Sequence, residues 1–269
     1  MLELYHFKNS VCSQKARMTL FEIDLEWHSH EVNLFTQEQY DPAYLKLNPK
    51  GYVPTLVHDS KAIWESTLIC EYLDEVFPMP PLAPDDAGGR VDMRQWSKAV
   101  DEGLFSGVTV FSFSAMFRNR LKQQSPEERE RRYRNVGDPE RRDRHKSLFQ
   151  DGVESPYVFR AVGAYEIAFK NMEEALAGGA GWLAGDMFSL AEINLAPFLA
   201  RLEYLTFLDL WINDRPAVQA WWRRVKQRPS YRAQLGDLMT ADEIEEMQSA
   251  GDRIKPRIAE LRAEYLAWA

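Results

Sequence analysis

Ser10 and Cys12, in the segment Asn9-Ser10-Val11-Cys12-Ser13-Gln14-Lys15-Ala16-Arg17, place a hydroxyl and a thiol at a predicted helix start. Helix N-termini carry unpaired N–H groups and partial positive charge, so they favour a bound anion and depress a nearby thiol pKa. Ser10 stands where it caps the helix. Capping is one full account of it. Donating a hydrogen bond to a bound thiolate is the other, and a thiolate is a far better nucleophile than a thiol. Cys12 is activated by the same terminus if it is reactive. It also shares an apolar stripe with Ala16, Leu20 and Ile23, where packing alone explains it.

Two further segments suit a small charged peptide. In Asn48-Pro49-Lys50-Gly51-Tyr52-Val53-Pro54 a proline enters a short apolar strand. Such a proline is often cis, and Val53 would then offer its N–H and C=O to an extended peptide as an added strand does. The plainer reading is a proline at a strand edge. In Glu65-Ser66-Thr67 a carboxylate and two hydroxyls precede another helix. Ser66 serves as a cap or, with the helix dipole, holds a carboxylate; Glu65 suits an ammonium. Each signal is common alone.

The elements that must position these residues read as β-α-β-α-β-β-α. Strands are predicted at 2–7 and 26–32, then as a pair at 53–57 and 62–64, with helices at about 11–23, 37–46 and from 66. Residues 77–89 hold four prolines and a Gly-Gly pair and read as a linker. Beyond it, helices are expected at about 90–122, 158–177, 189–205, 214–227 and 240–267, the last interrupted at Lys255-Pro256. Ser189 with Glu192 fits a capping box. The fold expected is an α/β thioredoxin-like domain (1–77), a linker (78–89) and an all-helical domain (90–269). Residues 118–147 mix many arginines with acids and carry no element assignment. A solvated surface is the plainer reading; a lid or dimer element that attracts an anion is the other.

Bulk properties narrow the classes. The formal net charge of −8 argues against general nucleic-acid binding. Two cysteines, Cys12 and Cys70, argue against a disulfide scaffold and for a reducing cytoplasmic setting. There is no secretory signal pattern, no apolar stretch of membrane-spanning length, and no metal site is assigned.

In this order and spacing the three segments resemble the glutathione transferase superfamily. The resemblance extends over nearly the whole chain, through the linker to Gly185-Asp186 and Ser189-Leu190-Ala191-Glu192, where Glu192 stands in place of the usual Asp. It implies glutathione as cosubstrate. It places the family's catalytic serine or cysteine on Ser10 and its cis-proline on Pro54. Val53 then pairs the cysteinyl backbone of glutathione, Glu65 and Ser66 make the γ-glutamyl contacts, and Gln39 falls near the glycyl carboxylate. It also implies a dimer.

Two subclasses are similar. Ser10-Val11-Cys12-Ser13 is similar to zeta-class patterns and to reductive dehalogenases of chlorinated hydroquinones, where the matching cysteine forms a mixed disulfide with glutathione. The run from Glu65 to Pro78 looks like the bacterial lignin β-aryl etherases, in which a thiolate displaces a phenoxide and an amide matching Asn9 helps hold the thiolate. The leading expectation is glutathione attack on a small hydrophobic aromatic substrate, with β-aryl ether cleavage as the reaction. Phe105, Phe111, Phe113, Met116 and Phe117 are candidate walls for it, though singly each reads as helix core. The C-terminal helix, ending with Tyr265 and Trp268, is a candidate cover for the cleft. The alternative within the class is thiol exchange through Cys12, as reductive dehalogenation or removal of glutathione from a conjugate. The alternative of another class is a non-catalytic glutathione-binding interaction protein.

Overall fold

Leu2 and Leu4 alternate with more polar residues in Leu2–His6, and this segment forms β1 at the centre of a four-stranded sheet in the computed structural model, which describes residues 1–179 and 181–268. The other strands are β2 (His28–Glu31), β3 (Thr55–His58) and β4 (Lys61–Trp64), in the order β2-β1-β3-β4. β1 runs parallel to β2 and antiparallel to β3, and β3 is antiparallel to β4. The mixed sheet and its helices α1 (Val11–Glu22), α2 (Pro42–Leu47) and α3 (Ser66–Val76) give the expected α/β fold. Leu4, Ala16, Met18, Leu20, Leu56, Ile69 and Leu73 are fully buried there.

Helices account for the rest. α4 (Ala87–Ala99), α5 (Phe105–Ser112) and α6 (Arg118–Lys122) are joined by π-helical turns at Val100–Leu104 and Phe113–Phe117, so the helix expected near 90–122 is one element with two wide turns. α7 (Pro126–Asn135), α8 (Pro139–Asp151), α9 (Pro156–Ala177), α10 (Leu190–Tyr204), α11 (Asp209–Ile212), α12 (Pro216–Gln227), α13 (Pro229–Tyr231), α14 (Ala241–Asp252) and α15 (Lys255–Trp268) follow. Proline opens many of them, where its missing N–H has no helical partner to lose.

The chain packs into two compact units, Met1–Lys98 with Leu176–Pro197 and Ala220–Met239, and Ala99–Ala175 with Phe198–Gln219 and Thr240–Ala269. In the first, Glu192 is fully buried and ties the start of α10 together. Its carboxylate accepts from Ser189 N (3.0 Å) and Oγ (2.8 Å), and also from Leu183 N (2.7 Å). Glutamate's extra methylene therefore reaches a second loop while keeping the capping role.

In the second unit Phe111 is fully buried against Tyr165, Phe207 and Trp211, and Phe113 stacks on His145 with ring centroids 5.6 Å apart. Phe111 is core, as its plainer reading had it. α15 is seated on α9: Arg262 Nε donates to Glu166 at 2.7 Å, and Tyr265 packs edge-on against Phe159. Tyr265, expected to help cover a cleft, is thus engaged on α9.

The charged stretch 118–147 folds as helices with ordinary caps. Ser125 and Glu128 form a capping box on α7, and Asp138 caps α8. Within α8, burial first, then the charges of Arg141, Arg144 and Arg132, push His145 down to about 3. An unfolded histidine titrates near 6.5. Between those values the unfolded chain takes up a proton that the folded chain refuses, so stability falls as pH drops below about 6.5, by up to about 1.4 kcal/mol per pH unit. His145→Phe keeps the stack and cannot be protonated. Urea midpoints measured from pH 6.5 to 4.5 should therefore fall less steeply for the variant; parallel slopes would refute the assignment.

Candidate functional site

Strand register brings the predicted residues to one end of the sheet. Tyr5 of β1 is opposite Thr55 of β3, and Thr55 is opposite Trp64 of β4; His6 is beside Glu31 of β2. β1, β2 and β4 end there and β3 begins there. The segment Phe7–Ser10, the loop after Glu31 that leads to Gln39, the Val53–Pro54 pair and Glu65-Ser66 consequently share that end.

Two helices, α1 and α3, start at this end, and neither has an acid in its first turn. By contrast, α7 carries Glu127 and Glu128 in its first turn, and α14 carries Asp242 and Glu243. The first amides of a helix have no carbonyl partner within it. The positive ends of α1 and α3 are thus left unneutralised by their own first turns, the condition under which a helix end holds an anion.

Ser10 is the N-cap of α1. Its Oγ accepts from Ser13 N at 3.3 Å, so the hydroxyl proton is available to a second partner. Ser10 N donates to Phe7 O at 3.1 Å and closes the turn that holds Asn9. Cys12 lies in the first turn and is half-buried, whereas Ala16 and Leu20 on its stripe are fully buried. The packing account therefore fits Cys12 less well than the residues below it.

The peptide-holding residues stand on the neighbouring loops. The Val53–Pro54 bond is cis, and Val53 is buried just before the β3 ladder begins. Glu65 has φ +75°, a conformation that L side chains rarely adopt and that clusters at functional sites. Its Oε1 accepts from Lys50 Nζ at 2.6 Å, so an internal ammonium already occupies the role expected of a ligand's. Ser66 is buried at the start of α3. Gln39 is 6% exposed, and its Oε1 has no hydrogen-bond partner among the described residues. Buried polar atoms are ordinarily paired, so Gln39 holds unused bonding capacity.

Three supporting residues carry no signal in the sequence reading. Asn48 Nδ2 donates to Tyr52 O (3.0 Å) and Thr55 Oγ1 (3.2 Å), shaping the turn before Pro54, and Tyr44 OH donates to Tyr52 O. Lys15 is fully buried and donates to Thr67 Oγ1 at 2.7 Å, joining α1 to the start of α3. Among the described residues no group of three or more His, Cys, Asp or Glu is set to hold a metal, and no helix is long and apolar enough to cross a membrane.

The family model described as Glutathione S-transferase, N-terminal domain, matches residues 9–76, and that for the C-terminal domain matches 155–224. Protein LigF of Sphingobium sp. (strain NBRC 103272 / SYK-6) is 33% identical over 86% of this chain and 91% of its own length. The tetrachloro-p-hydroquinone reductive dehalogenase of Sphingobium chlorophenolicum is 27% identical over 86% and 94%. The crystal structure of beta-etherase LigF superposes with a TM-score of 0.78 at 29% identity, covering 88% of this chain and 99% of that one.

Proposed function

The chain belongs to the glutathione S-transferase family, whose cosubstrate is glutathione, and from that premise we propose that it cleaves β-aryl ethers. The observation that carries the finer reading is the similarity to LigF in both sequence and fold. In this reading the α1 terminus and the Ser10 hydroxyl stabilise the glutathione thiolate, with Asn9 beside it. The sulfur attacks the carbon that bears the aryl ether, a C–S bond forms, the C–O bond breaks, and phenoxide leaves with the electron pair. Val53, Pro54, Glu65, Ser66 and Gln39 hold the peptide, and Glu65 exchanges Lys50 for the γ-glutamyl ammonium. The same reading carries a dimer, which mass in solution tests.

The test is phenol release from a β-aryl ether ketone with and without glutathione. Release that depends on glutathione supports ether cleavage; its absence in a protein that binds glutathione refutes it. The half-buried position of Cys12 favours a second reading, thiol exchange through a mixed disulfide. Cys12→Ser separates the two. Ether cleavage should persist near the parent rate in the variant, whereas exchange should fall by orders of magnitude because its nucleophile is gone.

A further inference from the structure

Arg17 lies on α1 and is only 2% exposed. Its guanidinium donates through Nη1 to His6 Nδ1 (3.2 Å) and Phe7 O (3.4 Å), and through Nη2 to Lys8 O (2.9 Å) and Gln234 O (3.1 Å). Three of these acceptors belong to the consecutive residues that lead from β1 into Asn9-Ser10. Arginine only donates, so His6 Nδ1 accepts and its Nε2 proton goes to Ser29 Oγ at 2.8 Å. Burial first, then the charge of Arg17, then that of His30, pull His6 down to about 4, which keeps it a neutral acceptor near pH 7.

The fourth acceptor, Gln234 O, belongs to a π-helical turn at Arg232–Gly236. The same late stretch also holds the other end of α1: Arg228 Nε donates to Glu22 at 3.2 Å, and Ser230 Oγ donates to Glu22 as well. α1 is thus clamped at two points, and of these the Arg17 clamp reaches the turn before Ser10. A lysine keeps the charge but lacks the planar fork that serves several acceptors at once.

We propose that Arg17 is a positioning residue for the thiolate: by holding the Phe7 and Lys8 carbonyls it fixes the Phe7–Ser10 turn, and with it the direction of the Ser10 hydroxyl. The proposal rests on the thiolate role given to Ser10 above. Its test compares Arg17→Lys, Arg17→Met and Arg228→Ala in the full chain. The readouts are the pKa of the bound glutathione thiol from its ultraviolet thiolate absorbance, the affinity for S-methylglutathione, and the urea midpoint. Both Arg17 variants should raise the bound thiol pKa by about one unit or more, a drop of about tenfold or more in its ionisation constant. S-methylglutathione, which has no thiol to ionise, should bind nearly as before. Arg228→Ala should lower the urea midpoint and leave the thiol pKa where it was.

A parent-like thiol pKa in Arg17→Lys overturns the proposal, since charge alone would then suffice. A shift in Arg228→Ala as large as in Arg17→Lys also overturns it, because general loosening of α1 would be the cause. If Arg17→Met does not fold, Arg17→Lys decides the same question. Failure of the underlying reading looks different: the unmodified protein would then show no lowered thiol pKa for bound glutathione.

Discussion

Ser10→Ala should lower glutathione-dependent turnover at pH 7 by about 10²- to 10³-fold, the usual loss when one donor to a developing or resident anion is removed. Two effects contribute, and pH separates them. An ordinary thiol titrates near 8.5, so only about 3% is ionised at pH 7. If Ser10 and the α1 terminus make the bound thiol fully ionised, losing that assistance costs at most about 30-fold through protonation alone. Anything larger reflects loss of the thiolate's placement. Raising the pH to about 9, above the ordinary thiol value, should recover the protonation part and leave the remainder. The cap itself contributes about 1 kcal/mol of stability, so a urea midpoint measured alongside keeps unfolding apart from chemistry. A Ser10→Ala enzyme as active as the parent at pH 7 would move the thiolate-holding role to Asn9 or the helix terminus.

How much of this was legible in the sequence depends on which signal each residue carries. Ser10, Val53-Pro54 and Glu65-Ser66 were legible because helix starts and strand entries have short-range signatures. Their convergence was not, because it follows from register: Tyr5 opposite Thr55 and Thr55 opposite Trp64 are pairings that no local pattern states. Lys15 and Arg17 were hidden for another reason. An apolar stripe predicts which face of a helix is buried, but α1 is buried on nearly all sides, and its polar residues find partners in Thr67, Phe7 and Lys8. The helices in 118–147 do have local signatures. Ser125-Pro126 with Glu128, and Asp138-Pro139, are start signals, and the density of charge around them obscures both.

Gly251→Ala should be strongly destabilising, by about 3 kcal/mol or more, at the upper end of what overpacking costs. The sign is not obvious. Gly251 sits in α14, where Ala is the better helix former by about 1 kcal/mol. Against that gain, a Cβ at this position would lie 1.9 Å from Leu205 O and 2.6 Å from Leu205 C. These are backbone atoms and cannot rotate aside, so α14 must move. Met247 and Ala250 beside it are buried, and Thr206 Oγ1 donates to Asp252 at 2.7 Å across the same contact, so movement disturbs packing and a hydrogen bond together. Two other glycines set the scale. At Gly163 the added Cβ meets the Tyr265 ring at 2.6 Å, a side chain with some freedom to swing, and at Gly137 it meets nothing within 4 Å. Urea midpoints should therefore rank Gly137→Ala highest, Gly163→Ala next and Gly251→Ala far below. A Gly251→Ala protein as stable as Gly137→Ala would mean that the α14 contact with Leu205 yields more easily than a packed backbone should.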